Sequence, residues 1–305
     1  MPSKSDVKSS TLNIYEHNLN KLSLDINNSA PPSNCKWLED FDKIMSYINK
    51  SKSLHTRKNK INTVVIYLQA STCKLSVIKK YQDEIVKLSQ EITSNYNKNT
   101  KSESQVKNWL SLNELTEFKN NLLLDLPKKF TSFDDYKKLM KYLILETHLE
   151  LPLRNDLVDA QIYLEKDFGK IEEVNTCNYL VLGGKRGYLV LNNYKTSGTY
   201  GRKKLELSSE LFKIWKKFYK IIMENSTNRY IFIKEDKSKM SRNEFTKFFG
   251  SIFKSLNKQI SSTMIRHIII SEKFPIKQNE MEDRQELANI MGHSVNEAQQ
   301  VYAKA

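Results

Sequence analysis

The residues best suited to chemistry lie near the C-terminal end. Thr263-Met-Ile-Arg266-His267 comes first, then Leu287-Ala-Asn-Ile-Met291-Gly292-His293-Ser294, then Tyr302, nine positions after His293. A tyrosine hydroxyl can attack a phosphodiester, and the resulting phosphotyrosyl ester keeps the energy of the broken bond, so a free hydroxyl can reverse it. A phenol has a pKa near 10 and needs help to lose its proton. The phosphate under attack gains negative charge, which the fixed, always-charged fork of an arginine can neutralise. His293 can donate to a non-bridging oxygen or help place the tyrosine. This chemistry requires no metal, and no carboxylate cluster has two-metal spacing. Each residue alone has a plainer reading. Tyr302 is one of 15 tyrosines, His267 could be a buried structural histidine, and Gly-His-Ser could start a helix with Ser294 as N-cap. Weight comes from the joint spacing.

The rest of the chain must position those groups. Its 305 residues suggest two domains, at about 150 residues each. Lys and Arg total 49 against 35 acids, a formal charge of +14. That excess points to a polyanion, with nucleic acid as first candidate and a merely basic protein as the bland rival. Some of the Lys and Asn richness would follow from an AT-rich genome. With only 8 Gly and 6 Pro, the chain is built for long helices, which disfavours sandwiches and propellers and excludes a Gly/Pro-rich low-complexity protein. No apolar run reaches the roughly 18 residues of a membrane helix, and Met1 to Asn20 has no signal-peptide stretch. Cys35, Cys73 and Cys177 are far apart and odd in number, which predicts reduced thiols in a cytosolic or nuclear setting; no CxxC pair suggests zinc.

Residues 1–30 are Ser/Asn-rich and read as a flexible arm with a short helix at Thr11–Leu24. From Trp37 the pattern is helical: Phe41, Ile44, Met45 and Ile48 recur at i, i+3, i+4, i+7, as do Ile61, Val64, Val65 and Leu68, followed by Ile78, Tyr81, Ile85 and Leu88. Arg57, Lys58 and Lys60 head the second of these helices and are candidate phosphate contacts, with Lys213, Lys216, Lys217 and Lys220 as a second basic stretch. Either could equally be a solvated face. A polar linker at Ser94–Ser102 sets a boundary near residue 103, giving a basic helical domain over 31–103, whose expected role is DNA binding from its charge, and a second domain over 104–305. Ser111-Leu-Asn-Glu114 and Ser132-Phe-Asp-Asp135 spell helix starts. Another helix is expected near Leu153. Short β-rich runs at Tyr179–Leu182, Gly187–Leu191 and Lys204–Leu207 predict a small antiparallel sheet. Helices resume at Ser209–Glu224, Ser241–Leu256, about Ser262–Glu272 and Glu282–Met291. The fold class is mainly α, with an α+β second domain.

The Arg266-His267, Gly292-His293-Ser294 and Tyr302 pattern resembles the catalytic domain of the tyrosine recombinase (integrase) family, over about residues 104–305. In style it is most like the integrases of viruses and mobile elements of eukaryotes. The resemblance implies further site residues. The family's first arginine follows a long apolar helix, a place that Arg154 in Leu-Pro-Leu-Arg-Asn-Asp fits. Its lysine lies in a turn of a small sheet, which Lys195 in Asn193-Tyr-Lys-Thr-Ser-Gly198 fits, although Lys185, Lys203 and Lys204 lie in the same region. The implied roles are Tyr302 as nucleophile, Arg154 and Arg266 on the phosphate, His293 as donor and Lys195 as general acid for the leaving 5′ oxygen. The resemblance also implies a core-binding domain before the linker and a homo-tetramer on two duplexes. Localisation would be the host nucleus or cytoplasm, or the virion. There are departures. Thr263 replaces a usual His or Lys and cannot act as a base; it can hydrogen-bond the phosphate. Leu157 replaces a usual acid, leaving Asp156 or Asp159 to support the site. The usual helix after the tyrosine is missing, so assembly uses another contact or the chain is a truncation. A type IB topoisomerase and a non-catalytic DNA-binding protein on the same scaffold are the rivals.

Overall fold

Serines and one aspartate decide where most helices begin. In the computed structural model, which describes residues 9–71, 73–172, 175–273, 288, 290–292, 294–297 and 301–302, Ser102, Ser111, Ser132 and Ser241 each close a reciprocal capping box with the residue three positions on. Asp40, Ser53 and Ser208 cap with one side-chain bond each. These bonds satisfy amides that have no partner inside the helix. The chain divides into two units, Met1–Lys98 and Asn99–Ala305. No described helix is long and apolar enough to cross a membrane.

The first unit contains α1 (Ser9–Asn27), α2 (Phe41–Asn49), α3 (Leu54–Ala70) and α4 (Leu75–Asn97). The stretch expected to be an arm is therefore largely helix. Tyr15, Leu19, Leu22 and Ile26 form a stripe at helical spacing; Leu19 and Leu22 are buried in one core with Ile44, Ile48, Ile61, Val64 and Tyr81, and Asn18 Nδ2 donates to Thr63 Oγ1 at 3.3 Å. The expectation of three reduced thiols needs correcting as well. Packing of the loops before α2 and after α3 brings Cys35 and Cys73 to a Cα separation of 6.3 Å, where the two are disulfide-bonded. Cys177 is free.

The second unit is mostly helical with a small mixed sheet. Its elements are α5 (Glu103–Asn108), α6 (Leu112–Leu124), α7 (Phe133–Glu150), β1 (Ala160–Leu164), α8 (Glu165–Phe168), β2 (Asn178–Leu182), β3 (Gly187–Leu191), α9 (Ser197–Tyr200), β4 (Lys203–Glu206), α10 (Ser209–Asn225), α11 (Arg242–Ser251) and α12 (Ser262–Lys273). A short helical turn follows at Val295–Glu297. The strand order is β1-β2-β3-β4. The helix expected near Leu153 is a 3-10 turn at Asn155–Leu157 leading into β1. β1 pairs parallel with β2, so the sheet has a fourth strand and is not wholly antiparallel. Ala-Gln-Ile-Tyr-Leu is too short to show a period that separates strand from helix. Leu180, Leu182, Leu189 and Leu191 pack into the main core with α7 and α10 residues such as Leu143 and Trp215. The alternate residues Tyr179, Val181, Tyr188 and Val190 pack on the other face with Phe168. The helix expected over Glu282–Met291 falls mostly outside the described residues.

Candidate active site

Arg266 is the centre of the site. Helix α12 sends Ile265, Ile268 and Ile269 into the main core, and Arg266 goes in with them, only 1% exposed. A buried guanidinium needs compensation. Its carbon Cζ lies 4.4 Å from the Tyr302 ring centroid, and the Tyr302 side chain favours its charged form. Burial pushes the Arg266 pKa down to about 10; Arg154 pushes the same way, and Tyr302 and Asp156 push back. Arg266 is thus still a cation at neutral pH.

Tyr302 is 7% exposed. Its backbone carbonyl accepts from His267 Nδ1 at 3.1 Å and from Ser271 Oγ at 3.4 Å. The carbonyl can only accept, so the His267 proton sits on Nδ1. His267 thereby holds the tyrosine segment from the next position of the helix that carries Arg266. Thr263 is exposed on the first turn of α12.

Arg154 sits at the end of the connection from α7. Its Nη1 donates to the Met291 carbonyl at 3.2 Å. Its own carbonyl lies 3.3 Å from His148 Nε2, while His148 Nδ1 lies 2.8 Å from the Ile144 carbonyl. Burial lowers the His148 pKa to about 4. The ring is neutral, so its single proton serves one carbonyl at a time, and the shorter Ile144 contact is favoured. Stability follows with a definite sign. The unfolded histidine takes a proton near pH 6.5 and the folded one near 4, so this contribution is full above about 6.5 and is lost as pH falls toward 4. Thermal unfolding between those pH values is expected to show up to about 1.4 kcal/mol lost per pH unit, with that slope absent in His148→Gln; an unchanged slope would refute the assignment.

Asp156 follows Arg154 by two positions and is buried. Burial raises its pKa, and Arg242, Arg154 and Arg266 oppose that. Asn178, fully buried on β2, carries no sequence signal yet ties two parts of the site together. Its Nδ2 donates to the Asp156 carbonyl at 2.7 Å and to the Asn193 carbonyl at 2.9 Å. Its Oδ1 accepts from Asn192 and Asn193 amides at 2.9 and 2.8 Å. The loop after Arg154 and the start of the β3–β4 connection are therefore pinned to one side chain.

That connection carries Lys195, which is exposed. On either side of it, Tyr194 is buried, its hydroxyl donating to Gly201 O at 2.8 Å, and Thr196 Oγ1 donates to Gly292 O at 3.1 Å. Of the rival lysines, Lys203 lies 5.5 Å from the Tyr194 ring centroid and 5.2 Å from that of Tyr200; burial and then the Arg154 charge lower its pKa. Lys204 lies over Tyr188 at 3.9 Å.

Gly292 has φ +69°, and a Cβ there would come within 2.9 Å of Thr196 Oγ1. Gly292→Ala is expected to cost about 1–2 kcal/mol and to lower the midpoint of thermal unfolding by several degrees. An unchanged midpoint would show that the turn tolerates a side chain. His293 lies outside the described residues. After it, Ser294 Oγ accepts from the Glu297 amide at 3.1 Å, so the serine does cap a helical turn.

The structure thus gathers Arg154, Asp156, Arg266, His267 and Tyr302, with the Lys195 turn bonded to Gly292. In the first unit, Arg57 Nε donates to Ser51 O at 2.6 Å and Lys60 Nζ to Ser51 Oγ at 2.9 Å. Those two cations also fasten the α2–α3 connection; Lys58 is half-buried.

No family model matches the sequence, and no curated protein matches it. Solved structures do. The chain is similar to XerH site-specific recombinase bound to palindromic difH substrate in a post-cleavage complex, with a TM-score of 0.57 and 13% identity over 95% of this chain and 75% of that one. It is similar to a lambda integrase dimer bound to a COC' core site, with a TM-score of 0.53 and 10% identity over 97% and 73%. XerA recombinase aligns over 96% of this chain and 87% of its own, with a TM-score of 0.43 and 12% identity. The fold of the chain is that of the tyrosine recombinases.

Proposed function

We propose that the chain is a site-specific DNA recombinase or integrase that cuts and rejoins duplex DNA through Tyr302. The observation that carries this reading is the pairing of a buried Arg266 with Tyr302, ring to guanidinium at 4.4 Å, beside Arg154 on the same fold. The Tyr302 hydroxyl gives up its proton to solvent water and its oxygen bonds to phosphorus as the bond to the 5′ oxygen breaks, leaving a 3′-phosphotyrosyl link. Lys195 gives the leaving oxygen its proton, and Arg154 and Arg266 neutralise the charge on the phosphate, with His293 donating to a non-bridging oxygen. His267 and Asp156 support the arginines and the tyrosine. Thr263, exposed at the start of α12, is free to hydrogen-bond phosphate rather than act as a base. No cofactor takes part.

Rejoining by a free 5′ hydroxyl reverses the same step without an external energy source. Four protomers on two duplexes would exchange strands in pairs, for integration or excision of a viral or mobile element in the host nucleus or cytoplasm. The first unit, with Arg57, Lys58 and Lys60, adds phosphate contacts that give affinity more than sequence information.

Covalent capture tests this. The protein is mixed with nicked duplexes of randomised sequence, denatured, and examined for a protein–DNA adduct, with adduct DNA sequenced to find the target. An adduct that depends on Tyr302 supports the reading. DNA binding without any adduct from the whole pool would leave a non-catalytic scaffold, and adduct on every sequence alike would favour a topoisomerase.

A further inference from the structure

We propose that Arg242 is a positioning residue that holds Asp156, and so couples helix α11 to the two phosphate-binding arginines; this rests on the recombinase reading above. Three contacts converge on Asn155-Asp156, directly after Arg154. Arg242 opens α11 and places Nη1 4.0 Å from Asp156 Oδ1. Thr246, one turn later on the same face of α11, accepts from Asn155 Nδ2 at 2.7 Å. Ser262, at the start of α12 and one turn before Arg266, donates to Asn155 Oδ1 at 2.7 Å. One dipeptide therefore grips both helices and continues into Arg154.

The charges explain why Arg242 matters. The Asp156 side chain is 5% exposed and that of Arg242 is 49% exposed. Asp156 Oδ1 accepts no hydrogen bond among the described residues. A carboxylate this buried needs cations near it. The charges of Arg154 and Arg266 act on it beside that of Arg242, and its own charge acts on the Tyr194 phenol of the β3–β4 connection. When a phosphate engages Arg154 and Arg266, Arg242 is, among the described residues, the cation left to hold Asp156 ionised. Without it, Asp156 either takes a proton or competes with the phosphate for the other two arginines. An exposed ion pair contributes little by itself; here one member is buried and shares its field with the reacting centre.

The experiment compares Arg242→Gln, Arg242→Lys and the wild-type protein in covalent adduct formation on nicked duplexes at saturating DNA. The expected result is a rate about 10- to 100-fold lower for Arg242→Gln, as for other small displacements of catalytic groups, with rescue by Arg242→Lys. The acid limb of the pH profile should also move to higher pH, because losing a cation raises the Asp156 pKa. A wild-type rate at saturation, or a loss confined to DNA affinity, would overturn the proposal and leave Arg242 as an ordinary phosphate contact. If the wild-type protein forms no adduct, the recombinase reading fails and a second measurement decides. Thermal unfolding of DNA-free Asp156→Asn, Arg242→Gln and the double variant should be non-additive; additive shifts would overturn the coupling.

Discussion

Replacing Tyr302 by Phe is expected to abolish the covalent protein–DNA adduct while leaving the fold and DNA affinity nearly unchanged. On the proposed mechanism the nucleophilic oxygen is gone, and losing a nucleophile from a catalytic unit can cost on the order of 10^6-fold in rate. The ring stays. Its stacking on Arg266 at 4.4 Å and the backbone bonds from His267 and Ser271 do not depend on the hydroxyl. The hydroxyl favours the charged form of Arg266, so its loss is expected to lower stability only slightly. The measurement pairs adduct formation with a binding isotherm and a thermal melt. Persistent adduct with a different tyrosine mapped to the DNA would move the nucleophile elsewhere in the chain.

Replacing Arg266 by Ala is expected to cut the cleavage rate by about 10^3-fold or more. The affinity for DNA should fall only modestly, since one phosphate contact among many is lost. This variant also disturbs the fold, because Arg266 is 1% exposed and its removal deprives the buried Asp156 of one of the three arginines that favour its charge among the described residues. A stability loss of about 3–5 kcal/mol is in the range for breaking a buried charge arrangement. Arg266→Lys separates the two effects. It keeps the charge and most of the volume but lacks the planar fork, so it should fold and still cleave about 10²-fold more slowly. Near wild-type cleavage by Arg266→Ala would refute the assigned role.

Local chemistry made some elements legible. Ser111 and Ser132 with acids three positions later are local helix-start signals, and both capping boxes are present in the structure. Alternation in Asn178–Leu182 and Gly187–Leu191 sorts their side chains onto two sheet faces. The residue types of Arg266, His267 and Tyr302, and their spacing, were equally plain, because the capacity to attack phosphorus or to bind an anion belongs to the side chain.

Tertiary structure decided the rest. The stripe of Tyr15, Leu19, Leu22 and Ile26 is present in the sequence, but among Ser and Asn residues it does not reveal the core that makes α1 stable; helices of this length draw most of their stability from packing. Strand β1 exists because β2 lies beside it. The Cys35–Cys73 pair is separated by 38 positions and is brought together only by folding. The same holds for the connections within the site. Asn178 joins the Asp156 loop to the β3–β4 connection, and Asn155 joins Thr246 of α11 to Ser262 of α12, through contacts between residues far apart in the chain. Sequence records which groups can donate, accept or carry charge. Which of them meet depends on chain reversals that no local pattern encodes.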